Sequence, residues 1–446
     1  MDINVVLILA MFFCLFLAIM TGFPVAFSLG GVAIIFGLIG SALGEFYISD
    51  FSFIPMRVFG IVQNLTLIAV PLFIAMGITL EKSGIASELL EALQQIFKRF
   101  KGGLAIAVVV VGALLAASTG IVGATVVTMG AMALPTMLKW GYQKELACGT
   151  IAASGTLGQI IPPSIVLVLL GDMMNIDVGE LFTGAMLPGL LLVLAYIVYI
   201  VIKVTLNPQC APSVQELKDN SEHVTVSKII YALVPPLCLM VIVLGSILAG
   251  IASPTEASAC GALGAIVITF VKGRLNKNML KDVMYQSAQM TSMVFTILVG
   301  AQFFGVVFRG LQGDEMIASM IQDYEINRYL VLLFIMLLMF ALGFFLDFIE
   351  ICFIIIPVVA PLLINVLEFD GLWLAILMAI NLQTSFLTPP FGFALFYLKG
   401  VAPEGVKTQH IYKGIIPFVI IQIVILGILM VFPSVITWLP RVVFTS

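Results

Sequence analysis

Residues 150–164 read TIAASGTLGQIIPPS, and this stretch decides the fold. It is apolar overall, yet Gly, Ser and Thr interrupt it and the pair Pro162-Pro163 closes it. Two consecutive prolines remove two backbone donors and restrict the residue before them, so a helix cannot run on through this point. The same signal returns in NLQTSFLTPPFG, 381–392, where Pro389-Pro390 stands 227 residues further on, about half the chain. Inside a bilayer, freed carbonyls are tolerated only where protein or a water-filled cavity satisfies them. Two such breaks at corresponding places in two halves point to the binding site of a transporter. A third pair, Pro235-Pro236, lacks the flanking Gly and hydroxyls and reads as a kink or a helix start.

Composition agrees with a membrane setting. Of 446 residues, 61% are hydrophobic and 10% charged, with a mean hydropathy of +1.19, whereas a soluble domain carries about 25% charged residues. The net charge of −4 leaves orientation open, because Lys/Arg placement in loops sets it. No strongly basic face suits nucleic acid. The six cysteines form no Cys-x-x-Cys pair and mostly lie in apolar segments, so they read as buried small hydrophobes. His223 and His410 sit in polar connections far apart, which argues against a catalytic or metal role. The N-terminus has no basic region before its apolar run and reads as a first spanning helix rather than a cleaved signal.

Spanning candidates of about 17–25 residues fall near 4–21, 24–42, 60–80, 103–117, 185–206, 229–251, 254–271, 290–310, 328–346 and 414–436. Regions 118–184 and 347–400 are too interrupted for plain helices and read as broken helices and re-entrant hairpins. Landmarks of the first half recur in the second. Gly22-Phe23-Pro24 and Ser253-Pro254 each open an apolar segment, with the two helix-opening prolines offset by 230. The chain therefore divides into a first repeat, 1–206, a polar linker, 207–228, a second repeat, 229–436, and a tail, 437–446. Corresponding loops carry opposite charge. Loop 43–52 holds Glu45 and Asp50, against Lys272, Arg274, Lys277 and Lys281 in 272–281. Stretch 82–101 holds Lys82, Lys98, Arg99 and Lys101, against Asp314, Glu315, Asp323 and Glu325 with one Arg328 in 312–328. Positive-inside placement puts 82–101, 272–281 and the linker in the cytoplasm, so the repeats are inverted. The expected fold is an all-α polytopic membrane protein with inverted repeats. Stretch 83–102 carries Leu89, Leu90, Leu93, Ile96 and Phe97 at helical spacing, as an interfacial helix would.

Several chemistries are excluded. There is no GxxxxGK[ST] loop for ATP, no metal-ligand cluster and no credible Ser/His/Asp set. The energy source is then an ion gradient or a partner protein. A sodium ion needs oxygen ligands, which broken helices supply as carbonyls and Ser/Thr as hydroxyls. The first break offers Ser118, Thr119 and Gly120 upstream, then Gly155, Thr156, Gly158, Ile161 and Pro163. The second offers Gly343 upstream, then Ser385, Thr388 and Phe391. The competing account is that each hydroxyl simply bonds the preceding turn. Intramembrane charge is sparse: Asp347 and Glu350 in an apolar run, and Glu256 in GIASPTEASACG. Such charges are functional candidates, with a helix-end carboxylate as the bland alternative. Arg57 either snorkels or pairs with an acid.

The motifs GFPVAFSLGG (22–31), AVPLFIAMG (69–77), TGIVGATVVTMG (119–130), GTLGQIIPPSI (155–165), SPTEASACGAL (253–263) and LTPPFGFALFYLKG (387–400) resemble the large membrane subunit of TRAP transporters, the tripartite ATP-independent periplasmic carriers. The resemblance covers nearly the whole chain. It implies an elevator-type secondary transporter of the bacterial inner membrane. A scaffold would hold still while a domain built from two re-entrant hairpins and the broken helices slides. It further implies sodium coupling, a small carboxylate substrate, delivery by a periplasmic binding protein, and a separate small four-helix membrane subunit, since a fused one needs a longer chain. No cofactor is implied beyond the coupling ion. One sodium site would use the Ser118–Thr119–Gly120 turn with Gly158, Ile161 and Pro163; the other, Gly343, Ser385, Thr388 and Phe391. Substrate would lie between the hairpin tips, against Gly155, Thr156, Gln159, Asp347, Glu350 and Pro389. Two departures stand out. Gln159 replaces an apolar residue usual in the family. Ser118-Thr119-Gly120 replaces Ser-Gly-Ser, leaving the first ion's hydroxyl between Ser118 and Thr119. FLDFIEICFIIIP, 345–357, looks more like carriers of keto acids, hydroxy acids or other monocarboxylates than like sialic acid carriers. The alternatives are a stand-alone sodium/carboxylate symporter of the related elevator class and, with least support, a non-transporting scaffold or enzyme.

Overall fold

A chain this apolar must satisfy its backbone within each segment, and helices do so without a partner strand. The computed structural model describes residues 3–97, 100–119, 122–212, 226–323, 326–390 and 392–444, and all regular structure among them is helical. The first half contributes α1 (Ile3–Met20), α2 (Val25–Leu43), α3 (Phe53–Gln63), α4 (Ala69–Lys82), α5 (Ile85–Phe97), α6 (Gly103–Thr119), α7 (Val122–Lys139), α8 (Lys144–Thr156), α9 (Ile165–Met174) and α10 (Val178–Leu206). The second contributes α11 (Val226–Leu248), α12 (Pro254–Val271), α13 (Lys277–Gly310), α14 (Gly313–Asp323), α15 (Arg328–Leu342), α16 (Phe348–Pro361), α17 (Gly371–Leu387), α18 (Phe393–Val401), α19 (Thr408–Val431) and α20 (Ser434–Phe444). Nine of the described helices are long and apolar enough to cross a membrane, ten if one bent pair counts as a span.

The spans differ from the sequence reading at four places. The segment expected as one helix at 60–80 is two, α3 and α4, bent by 59°. At the bend the Asn64 side chain accepts the Thr66 N–H at 2.9 Å, a local bond that competes with continuing the helix. Segments 103–117 and 328–346, expected to span, are the short helices α6 and α15, which pack back on α7 and α16 as helical hairpins. Spanning length belongs instead to α7 and to 348–366, inside the two interrupted regions. Third, α13 runs through 277–310, so Lys277 and Lys281 lie in its first turns rather than in a loop; Asn276 caps it by accepting from Met279 N. Fourth, the tail at 437–446 is mostly helix α20, packed on α10 and α17. Pro235-Pro236 lies inside α11 rather than starting it. Most of the linker, 213–225, lies outside the described residues.

Burial sorts the helices into two sets. On α1 only Leu7, Ile8, Met11 and Leu15 are buried, a single helical stripe flanked by half-buried Phe12 and Cys14, and the opposite face, with Leu9, Phe13 and Leu17, is exposed. By contrast every residue of α8 from Leu146 to Thr156 and of α17 from Trp373 to Leu387 is buried. The two segments that lead into the Pro-Pro breaks are therefore the centre of the molecule. The halves also exchange contacts reciprocally: α2 lies along α13 and α12 along α4; α7 packs on α18 and α16 on α9; α5 packs on α11 and α14 on α1. The stripe on α5 is real, but Leu89, Leu90 and Leu93 are buried against α6 and α11 rather than left for lipid. Lys272 and Arg274 close on this helix, both pairing with the Glu88 carboxylate, and Arg274 Nη1 donates to Ser83 O at 2.5 Å. The two basic connections thus meet on one face of the protein.

Candidate functional site

Helix α8 ends at Thr156 and passes into a 3₁₀ turn, Leu157–Gln159, beyond which Pro162 and Pro163 have no N–H with which to resume it. The freed groups are taken up locally. Ile161 N donates to Leu157 O at 2.9 Å, Ser164 Oγ to Gln159 O at 2.8 Å and Thr156 Oγ1 to Ala153 O at 2.9 Å. Gly155 admits α7 so closely that a Cβ there would lie 2.4 Å from Val126 Cγ2. Gly158 and Pro163 are buried, and Ile161 packs on Gly189 of α10. Gln159 is fully buried, and neither its Oε1 nor its Nε2 has a hydrogen-bond partner. Ser118 and Thr119 end α6, but their side chains and the turn at 120–121 lie outside the described residues.

The second break follows the same plan. Ser385 Oγ donates to Leu382 O at 2.7 Å and Thr388 Oγ1 to Thr384 O at 2.8 Å. The Pro390 carbonyl is satisfied from α19 by Tyr412 OH at 2.7 Å. Gly343 ends α15 directly against α17, where a Cβ on it would lie 2.0 Å from Ser385 Oγ. The hairpin and the broken helix therefore meet at the two residues expected to share an ion. Asn381 Nδ2 strengthens this contact by donating to Met336 O at 2.8 Å. Pro389 is half-buried beside Thr388, and Phe391 lies outside the described residues.

The carboxylates have structural duties. Asp347 is the N-cap of α16 and accepts the Phe348 N–H at 2.7 Å, while Glu350 reaches back to the Asp347 N–H at 3.0 Å. Both therefore organise the first turn after the Gly343 bend, and Asp347 lies just outside the helix rather than sharing a helical face with Glu350. Glu256 does the same for α12 with Ser253. Arg57 is exposed on α3, away from both breaks.

Packing joins the two breaks into one unit. The 157–159 turn touches both α6 and α17, α17 also contacts α8 and α9, and α18 contacts α7 and α8. The hydroxyls of Thr156, Ser385 and Thr388 each bond a carbonyl of their own turn. Among the described residues no group of His, Cys, Asp and Glu forms a metal site. Sequence reasoning missed a second buried polar group. Tyr196 OH accepts from Gln422 Nε2 at 2.6 Å and lies beside Gln383, whose own amide makes no well-formed hydrogen bond. Gln383 and Asn381 stand in the 381–392 stretch, so their polarity was visible there; Tyr196 and Gln422 are isolated in apolar spans and gave no signal.

The family described as "Tripartite ATP-independent periplasmic transporter, DctM component" matches residues 12–435. The chain is 31% identical over 391 residues to the C4-dicarboxylate TRAP transporter large permease protein DctM of Pseudomonas aeruginosa, covering 87% of this chain and 89% of that one. It is 29% identical over 426 residues to the isethionate TRAP transporter permease protein DctMQ of Oleidesulfovibrio alaskensis, covering 95% of this chain but 64% of that longer protein. In fold it is similar to the crystal structure of the Alcanivorax borkumensis YdaH transporter, with a TM-score of 0.63 over 86% of this chain and 89% of that one at 15% identity. The chain belongs to the DctM family of large permease components of tripartite ATP-independent periplasmic transporters, and is accordingly a multi-pass transport protein of the bacterial inner membrane rather than an enzyme.

Proposed function

We propose that this chain carries a small organic anion inward, driven by sodium, with the two breaks as its ion and substrate site. The observation that carries the reading is the contact of Gly343 with Ser385 at the second break, together with a fully buried, unpartnered Gln159 at the first. Ser385 and Thr388 hydroxyls now bond their own turns, and a hydroxyl can rotate its hydrogen away and turn a lone pair to a cation. Gly158, Ile161 and Pro163 offer carbonyls for a first ion; Gly343, Ser385 and Thr388 serve a second. The buried amide of Gln159 would gain its missing partner from the substrate carboxylate or sulfonate. Gly155, Thr156 and Pro389 shape the surrounding walls. Asp347 and Glu350 act indirectly, by fixing the hairpin turn. Relatives named for C4-dicarboxylate and for isethionate support an anionic substrate.

The mechanism we infer is an elevator. The halves 1–206 and 229–436 act as inverted repeats, which the reciprocal packing of α2 on α13 and α12 on α4 supports, together with the opposite charge of paired loops. Hairpins α6–α7 and α15–α16 would re-enter from opposite faces and move with α8, α9, α17 and α18. The family is tripartite. A small membrane subunit and a periplasmic binding protein therefore complete the carrier.

Reconstitution tests this. Proteoliposomes holding all three components should accumulate a C4-dicarboxylate or isethionate under an inward sodium gradient, and the single chain alone should not. Equal uptake in potassium without sodium overturns the coupling. Full uptake by the single chain overturns the tripartite reading and leaves a stand-alone symporter.

A further inference from the structure

A cavity of about 460 Å³ lies between α6, the first break, α10 and α11. Val110 lines it from α6, Ile161 and Pro162 from the break, Leu190 from α10, and Val241 and Gly245 from α11. Every lining residue is apolar. A bound water needs two to four polar partners, so the space suits neither water nor an anion. Its mouth is on the outer wall of the protein. Leu190 is 60% and Val241 68% exposed, and both sit in segments that span by length and composition. The material against that mouth is the hydrocarbon core of the bilayer. An occupant must therefore be apolar, thin and flexible, and able to enter sideways. A helix of another protein does not fit inside, since a bare helix is already about 10 Å across with its side chains and the lining on α11 runs only from Leu237 to Leu248.

We propose that this cavity holds one acyl chain of a bilayer phospholipid, wedged between α11 and the first break. Its inner wall is Ile161-Pro162, so the chain packs on the back of the segment that ends α8. Leaving the space unfilled would forfeit dispersion contacts along all four walls, and the acyl chain restores them. The assignment needs neither the sodium nor the elevator reading.

Photolabelling tests it. The carrier is reconstituted in vesicles of phosphatidylethanolamine with a minority of phosphatidylglycerol, containing a trace of phosphatidylethanolamine with a diazirine at mid-chain. Labelled peptides are then mapped by mass spectrometry. Labelling at 186–193, 237–248 and Ile161 should exceed, severalfold, that on α1, whose Phe13 is comparably open at 62% exposed. Gly245 lines the cavity and a Cβ there meets nothing within 4 Å, so Gly245→Phe is the first filler. It should lower cavity labelling severalfold and leave α1 labelling unchanged. Leu190→Trp, at the mouth, is the second filler and should act likewise. Cavity labelling no stronger than that on α1, or undiminished by both fillers, overturns the proposal. So does loss of cavity labelling on adding the small membrane subunit, which would make the cavity a subunit contact.

Discussion

Replacing Gly343 with alanine is expected to raise the sodium concentration for half-maximal uptake more than it lowers stability. The added Cβ would lie 2.0 Å from Ser385 Oγ and 2.5 Å from Ser385 Cβ, closer than real side chains approach. Turning the Ser385 hydroxyl away would forfeit its 2.7 Å bond to Leu382 O, worth about 1 kcal/mol, and still leave the two Cβ atoms in collision. The α15–α16 hairpin must therefore back off from α17, at a typical overpacking cost of about 1–3 kcal/mol. That response separates the two groups expected to share an ion. If the ion-bound arrangement bears that cost, sodium affinity falls by about 5- to 150-fold. The assay is sodium-dependent uptake by proteoliposomes containing all components, with thermal unfolding measured on the same preparations with and without sodium. Gly245→Ala is the control, because its Cβ enters open space; the sodium curve should not move, and a helix-interior alanine should not lower stability. A Gly343→Ala protein with a lower melting temperature but an unchanged sodium curve would show that the close approach is packing alone, and the ion assignment of Gly343 and Ser385 would fall.

Further outcomes follow from the same geometry. Thr388→Ala removes a hydroxyl bonded to Thr384 O; stability should drop by no more than about 1 kcal/mol while half-maximal sodium rises, and an unchanged sodium curve in well-expressed protein would leave that hydroxyl a turn-bonding group. Gln159→Leu removes two unpartnered buried amide atoms, a desolvation cost of about 1–3 kcal/mol, so the melting temperature should hold or rise while anion uptake falls; normal uptake would take Gln159 out of the site. Glu88→Gln weakens the pairing of Lys272 and Arg274 with α5, and the loss of stability should shrink in high salt, as for a partly exposed ion pair; a salt-independent loss would mean that packing rather than charge holds the arm. With the native cysteines removed, an impermeant thiol reagent added to intact cells should label Ser49→Cys and not Val214→Cys; the opposite pattern inverts the topology.

What the sequence disclosed depended on how local each signal was. Pro-Pro pairs act through their own backbone, so both breaks stand where 162–163 and 389–390 place them. Hydropathy found the outer helices, whose exposed faces are themselves apolar. It misjudged α6 and α15, because an apolar run does not reveal that the chain turns back after 119 and 342. It merged α3 with α4, because the bend rests on one Asn64 side chain bonding its own backbone. Asp347 and Glu350 looked like buried charges looking for a ligand; their spacing also fits a capping box, and the backbone claims them. Gln159 was visible as a polar residue in an apolar break, but its lack of a partner is a tertiary property. The Tyr196–Gln422 bond joins residues 226 apart in sequence, beyond any local pattern.

The distribution of unpartnered polar atoms ties these observations to function. In a membrane protein each buried donor or acceptor without a partner is costly, since neither lipid nor apolar side chains can replace water. Among the described residues such atoms belong to Asn4, Thr150, Gln159, Ser287, Gln383 and Gln422. Four of the six lie on α8, its break, α17 and α19, around the most deeply buried segments. Packing does not explain their retention, because Leu or Met would fill the same volume without the desolvation cost. Under the proposed function, a bound ion or anion would supply the missing partners only when cargo is present. The centre would then be less stable empty than loaded, and binding would shift the population toward whichever arrangement satisfies these groups best. That difference would couple cargo to movement, which an apolar core of equal volume would not do.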